Sequence, residues 1–323
     1  MTNQQLVSVQ SRPSTGHPDL PAIAAFYKIC DQVDQLDNAP SLANLQRRLD
    51  HPPPDGSHQR QLWETAEGQL VGLVSLWIED PTDVLEAWVG VFVHPDFRGD
   101  GLETELLSWA EQCVRARAAE AQRPAQVYAG TRSDAAYFRD IYETHGYGIV
   151  RQFHDMTRSL SEPIPAPQFP EGFTPRLTTA AEAEAWVAMF NESFVDHWHF
   201  TPLTLRDRQH RLNYPTYQRE LDWIAIAPDG TLAGFCGGHI DHEENARKQR
   251  REGWINLLGT RRGYRRLGLA RAMLLHGLHQ LQSAGMDTAQ LGVDSENPNQ
   301  AKALYESVGF QVKETHLSYC KDL

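Results

Sequence analysis

The chain has 323 residues, 41% of them hydrophobic and 22% charged, and this length and composition suggest two globular domains with ordinary cores. Lys and Arg total 30 against 42 Asp and Glu, a net charge of −12. This balance argues against a nucleic-acid partner, because polyanion binding needs clustered positive charge. A cationic or small polar substrate is compatible with it.

The chain contains no apolar run of about 18 residues and its first twenty residues lack the pattern of a secretory leader, so we expect no membrane partner and a cytoplasmic location. Four cysteines lie far apart, with no zinc-finger spacing, which predicts reduced thiols and no metal site. These are Cys30, Cys113, Cys236 and Cys320. The oligomeric state is not predicted.

An internal repeat divides the chain into two halves of about 160 residues. Three segments of the first half match three of the second in the same order: 66–72 with 228–234, 98–102 with 265–269, and 141–147 with 304–310. Between the halves, residues 161–170 contain four prolines, which exclude a helix or a central strand and indicate a semi-rigid spacer. We therefore predict a domain at 1–160, a linker at 161–172 and a domain at 173–323.

The second half alternates strands and helices, which is typical of an α/β or α+β sheet domain. A turn at Asp229-Gly230 separates the arms of a predicted β-hairpin. The predicted strands are 221–227, 232–240, 254–260, 289–293 and 310–320, and the predicted helices are 267–284 and 299–308.

The junction at 257–270 is the sharpest local feature, because a strand enters a turn that opens a helix with small residues. Unpaired amides and the helix dipole at such a start bind phosphate. Gly268 and Ala270 would let a diphosphate approach the backbone, and Arg265 and Arg266 add positive charge. The alternative is a tight helix start with solvated arginines.

Arg265-x-x-Gly268-x-Ala270 after an apolar strand, followed by Leu304-Tyr305-x-x-x-Gly309-Phe310, resembles the GNAT acetyltransferase superfamily. The resemblance covers nearly all of the second half and, more weakly, the first. It implies an α/β (α+β) fold of two tandem GNAT-like domains, each a mixed, splayed β-sheet flanked by helices. It also implies acetyl-CoA as cosubstrate.

The resemblance assigns roles by position. The pantetheine arm would pair with the strand near Leu258 and Thr260. The diphosphate would lie on the amides of Arg266, Leu267, Gly268, Leu269 and Ala270, beside Arg265. The asparagine of the family falls at Pro298, so either Asn297 or Asn299 would contact the cofactor.

Tyr305 would protonate the leaving thiolate, and its alternative role is that of a core aromatic residue. Glu252, in alternation with Trp254 and Asn256, is a candidate base, although a solvated surface role is an alternative. Asp196, His197 and Trp198 lie where relatives contact their acceptor substrate, and we predict that they bind it.

The first half has Glu103 where the second has Ala270, and a carboxylate there would repel a diphosphate. We therefore predict that the first domain is degenerate and the second catalytic. The predicted activity is transfer of acetyl to a primary amine of a small molecule by direct attack in a ternary complex. The alternatives are a peptide or protein N-acetyltransferase and a non-catalytic acyl-CoA sensor.

Overall fold

The computed structural model describes residues 8–54, 56–79 and 83–323, which form two compact α/β units. The first unit contains the described residues up to Arg151 together with His316–Leu323, and the second contains Gln152–Thr315. These units differ from the predicted division at 160 and 173. The difference arises because the last strand of each sequence half completes the sheet of the other unit.

The first unit is a mixed sheet with helices. Its strands are β1 (Val9–Pro13), β2 (Ser57–Thr65), β3 (Leu70–Glu79), β4 (Leu85–Val93) and β5 (Ala125–Arg132), and its helices are α1 (Leu20–Asp34), α2 (Leu42–Asp50), α3 (Leu102–Ala121) and α4 (Ala136–Thr144). Strands β1 to β5 are adjacent in chain order, antiparallel except for the parallel pair β4–β5. Residues 316–322, the end of β12 (Gln311–Asp322), pair antiparallel with β5.

The second unit has the same plan. Its strands are β6 (Gly148–Ser159), β7 (Thr174–Leu177), β8 (Asp222–Ile226), β9 (Leu232–His239), β10 (Glu252–Thr260) and β11 (Thr288–Asp294), and its helices are α5 (Ala183–Phe194), α6 (Leu205–Leu212), α7 (His242–Lys248), α8 (Leu269–Ser283) and α9 (Ala301–Glu306). The strand order is β6-β11-β10-β9-β8-β7, with β10–β11 as its parallel pair. The predicted strands and helices of this half are confirmed.

The proline-rich segment 161–172 belongs to the second unit and packs against its core. Ile164 and Phe169 contact its apolar core. Arg158 donates to the carbonyl of Pro163 at 2.9 Å, and a ring nitrogen of His279 lies 3.2 Å from the carbonyl of Pro165. The segment therefore covers apolar surface, which a spacer exposed to solvent would not do.

Helix α8 illustrates how the sequence pattern becomes packing. Its apolar residues recur at helical spacing, and Met273, Leu274, Leu278 and Leu281 are fully buried. A short helix, α7, follows β9, and Asp241 caps it by accepting from the amide of Glu244 at 2.9 Å. Among the described residues, none of the helices combines the length and apolarity needed to cross a bilayer.

Candidate active site

The sheet of the second unit opens between its two parallel strands. The ladder joins only residues 252–254 of β10 to 288–290 of β11. Beyond it β11 continues along β6 to Asp294, while β10 continues along β9 to Thr260. A β-bulge at Asn256 lies where the strands separate. The edge of β10 after Trp254 therefore faces a cleft with its backbone groups available on that side.

The cleft encloses a cavity of about 680 Å³. Its walls come from β10, β11, the start of α8, α9 and the end of α5. It is lined by Tyr305, His197 and all of the predicted cofactor residues except one: Leu258, Thr260, Arg265, Arg266, Gly268, Leu269, Ala270, Asn297 and Asn299. The exception, Leu267, has 52% of its surface exposed and lies outside the cavity wall.

The start of α8 presents a row of backbone amides to the cavity. Arg266 and Gly268 have φ values of 65° and 85°, which turn the chain sharply before the helix. Within the described part of the chain, the amides of residues 266–271 donate to no other group. A Cβ on Gly268 would meet no atom within 4 Å. Free amides and the helix dipole make this loop an anion cradle.

Arg265 holds the loop in place. Its guanidinium donates to the carbonyls of Thr260 at 3.2 Å and Ser193 at 2.9 Å. It also donates to Asp196 at 3.1 Å and to the side chain of Asn299 at 3.2 Å. With this many protein partners, Arg265 fixes the strand, the loop and α5 together. Its contribution to phosphate binding would therefore come mainly through the geometry of the loop.

The predicted acceptor residues separate in the structure. His197 lines the cavity, whereas Asp196 and Trp198 do not. The carboxylate of Asp196 accepts from both Arg262 and Arg265, and these hydrogen bonds, that of Arg262 first, hold its pKa below the usual range. Asp196 is thus engaged in holding the loop. Nothing in these contacts gives Asp196 or Trp198 access to an acceptor in this cavity.

Tyr305 lies on α9 with only 8% of its surface exposed, at the wall of the cavity. Among the described residues, none accepts a hydrogen bond from its hydroxyl. Burial, with the nearby thiol of Cys236 second, raises the pKa of Tyr305 to about 12. Its hydroxyl is therefore protonated at neutral pH and available as a donor to a group in the cavity.

Glu252 lies at the start of β10, before the strands separate. The carboxylate of Glu252 is 3.8 Å from a guanidinium nitrogen of Arg250. Glu252 lines neither this cavity nor the second cavity of the unit. The sequence pattern predicted that Glu252 and Asn256 lie on the same strand, and both lie on β10. The strand carries Asn256 into the cavity wall and leaves Glu252 outside it.

A second cavity of about 360 Å³ lies on the other side of the bulge. It is bounded by α6, the segment before β8, the end of β9 and the middle of β10. Asn256 lines both cavities, so the bulge is their common wall. The sequence does not predict this cavity, because its residues lie on segments that have no recognisable motif.

The corresponding loop of the first unit is closed by its own side chain. Glu103, 7% exposed, accepts from the amide of Gly99 at 3.0 Å and from the hydroxyl of Tyr137 at 2.9 Å. Gly99 and Glu103 correspond by the repeat to Arg266 and Ala270. A carboxylate thus engages an amide of the loop that in the second unit is free.

Comparison with known proteins agrees with this geometry. The Acetyltransferase (GNAT) family pattern matches residues 183–310, and an Acetyltransferase (GNAT) domain pattern matches residues 58–149. The chain is 31% identical over 307 residues to a mycothiol acetyltransferase of Streptomyces scabiei, covering 94% of this chain and 93% of that protein. The chain belongs to the GNAT acetyltransferase family. It is an acyltransferase, and the predicted pair of tandem GNAT domains is confirmed.

Other relatives span the same length. A mycothiol acetyltransferase of Thermobispora bispora is 30% identical, covering 94% of this chain and 96% of that protein. The GCN5-related N-acetyltransferase of Sphaerobacter thermophilus has 26% identity and a TM-score of 0.76, covering 97% and 95% of the two chains. A tandem GNAT protein from the clavulanic acid biosynthesis pathway has a TM-score of 0.75 at 14% identity, with 98% of both chains covered, and shares the fold.

Proposed function

We propose that this GNAT protein transfers the acetyl group of acetyl-CoA to the primary amine of a small molecule, and that the second unit performs the reaction. The observation that carries the proposal is one cavity that contains the unpaired edge of β10, the free amides before α8 and the hydroxyl of Tyr305. The curated relatives are named mycothiol acetyltransferases, which supports a small-molecule acceptor.

The residues of the cleft fit acetyl-CoA. The amides of residues 266–271 would hold the diphosphate, since they have no partner in the described protein and Gly268 leaves open space above them. The edge of β10 at Leu258 and Thr260 would pair with the amide groups of the pantetheine arm. Asn297 and Asn299 both line the same cavity and remain candidates for a contact with the cofactor.

Bound acetyl-CoA supplies an activated acetyl group: the C–N bond to the neutral amine forms and the C–S bond breaks, the amine nitrogen loses one proton to solvent, and the thiolate produced gains one. Tyr305 holds that proton on its hydroxyl, because its pKa is raised to about 12. In this proposal the amine approaches the acetyl group next to the bulge at Asn256, which lines the cavity. Glu252 lies outside the cavity wall, so its role as base has no support from geometry.

We also propose that the first unit does not bind acetyl-CoA. The carboxylate of Glu103 engages the amide of Gly99, so a diphosphate would have to displace a hydrogen bond and approach a negative charge. Tyr137 donates to the same carboxylate, and Arg98 lies over the ring of Tyr137 with its guanidinium carbon 3.9 Å from the centroid. These contacts fix Glu103 in the loop.

Calorimetric titration with acetyl-CoA tests the binding part of the proposal. We expect one site per chain, and its loss in Gly268→Glu. Two sites would show that Glu103 does not block the first unit. Release of free thiol during incubation with a panel of amines tests the reaction, and binding without thiol release for any amine would favour a sensor over an enzyme.

A further inference from the structure

The second cavity of the catalytic unit has an excess of positive charge. Two arginines, Arg208 and Arg211, line it, and among the described residues Asp222 is its one carboxylate. Two histidines, His210 and His239, also line the wall. A chain with a net charge of −12 thus has a cavity whose fixed charge is positive next to the predicted reaction site.

Only one of the two arginines is neutralised. Arg208 is 1% exposed, donates to Asp222 at 2.6 Å and stacks on Trp186, with its guanidinium carbon 3.8 Å from the ring centroid. Tyr217 donates to the same oxygen of Asp222 at 2.7 Å. The carboxylate of Asp222 is therefore already occupied by two donors from the wall. This pair contributes shape and rigidity to the cavity, with no net charge.

Arg211 is the unpaired charge. It is half-buried on α6, and within the described part of the chain its side chain has neither an ion-pair partner nor a hydrogen-bond acceptor. Burial, with the neighbouring Arg208 second, lowers its pKa, and the charges of Asp222, Tyr217 and Asp207 oppose this only in part. The Nε2 atom of His210 is also buried without a partner. A half-buried guanidinium without an acceptor is costly unless a ligand supplies one.

The position of this cavity relates it to the reaction. Asn256 lines both this cavity and the acetyl-CoA cleft, and Gly237 and Gly238 contribute only backbone to the wall of the second cavity. An acceptor with its amine at the bulge would place the rest of its structure in this space. A cationic group there would meet Arg211 and be repelled, whereas an anionic group would complete its hydrogen bonds.

We propose that the acceptor is an amine that also carries an anionic group, a carboxylate or a phosphate, and that Arg211 binds this group in the second cavity. This inference rests on the proposed acetyltransferase activity of the same site. It differs from the cationic acceptor with which the overall charge is compatible, because recognition depends on the local charge of the cavity.

The test uses the full chain with acetyl-CoA and pairs of amines that differ by the anionic group. L-Lysine with cadaverine and L-tyrosine with tyramine examine a carboxylate, and glucosamine 6-phosphate with glucosamine examines a phosphate. We expect higher kcat/KM for the anionic member of at least one pair. In Arg211→Gln this advantage should fall by about 10- to 100-fold, mainly through KM. Arg211→Lys should retain part of it.

Arg206→Gln is the matched control, because it removes the same charge from an exposed position of the same helix. It should change neither the preference nor the rate. The affinity for acetyl-CoA should be unchanged in both variants. A weaker affinity in Arg211→Gln alone would place Arg211 in the cofactor site and overturn the proposal, as would equal rates for both members of every pair.

A binding measurement separates this inference from the proposed reaction. Failure of every amine to release thiol would refute the reaction, and the same anionic amines can then be titrated into the CoA-saturated protein. Binding that is lost in Arg211→Gln and kept in Arg206→Gln would still support an anion site. No binding of any anionic amine to the wild-type protein would refute the anion site as well.

Discussion

Replacing Ala270 with Glu would give the second unit the residue that closes the first. Ala270 lies in the first turn of α8 and lines the proposed acetyl-CoA cavity. In the first unit the equivalent Glu103 reaches the amide of Gly99 at 3.0 Å. We therefore expect the new carboxylate to engage the amide of Arg266 and to stand beside the bound diphosphate.

The expected effect follows from simple electrostatics. Two like charges about 4 Å apart at an effective dielectric of about 20 repel by about 4 kcal/mol. This corresponds to about three orders of magnitude in Kd. The fold should tolerate the change, because a negative charge in the first turn of a helix interacts favourably with its dipole. Ala270→Glu should thus lose acetyl-CoA binding without losing stability.

Calorimetric titration with acetyl-CoA measures the Kd, and thermal unfolding without ligand measures stability. Ala270→Gln is the control, since it has nearly the same size without the charge, and we expect it to weaken binding by about tenfold at most. Equal losses in the two variants would show that bulk, and not charge, excludes the diphosphate. Unchanged binding in Ala270→Glu would refute both the cradle and the explanation for the first unit.

Three further predictions concern the two units. Tyr305→Phe should reduce kcat with little change in acetyl-CoA affinity, and an unchanged kcat would remove Tyr305 from the mechanism. Gly268→Ala and Gly101→Ala each place a Cβ at positive φ in equivalent loops, with no atom within 4 Å of either Cβ. Both substitutions should lower the free energy of unfolding by about 1 kcal/mol. Only Gly268→Ala should weaken acetyl-CoA binding. Hydrogen bonds from Arg176 lower the pKa of Glu182 from 4.5 to about 2, so its contribution to stability is present above pH 4.5 and is lost as the pH falls towards 2. Denaturant unfolding should show Glu182→Gln less stable than wild type at pH 7 and a difference that disappears near pH 2, and a constant difference would contradict this linkage.

The sequence determined the features that depend on short stretches of chain. The repeat, the strand–turn–helix at 257–270 and the motif around Tyr305 are local patterns, and each led to the correct elements and to the family. The positive φ of Gly268 follows from the turn itself, and the apolar spacing of α8 follows from its helical period. Such patterns carry their information within a few turns of helix or one strand.

The tertiary structure decided what depends on residues far apart in the chain. The exchange of β6 and β12 between the units was not predictable, because a strand has the same alternation whichever sheet it joins. The pairing register of β10 and β11 determines where the two strands separate. Glu252 lies before this point and is therefore excluded from the cavity. The unpaired charge of Arg211 appears only when Asp222 is committed to Arg208 by folding, since in the sequence any carboxylate could serve either arginine.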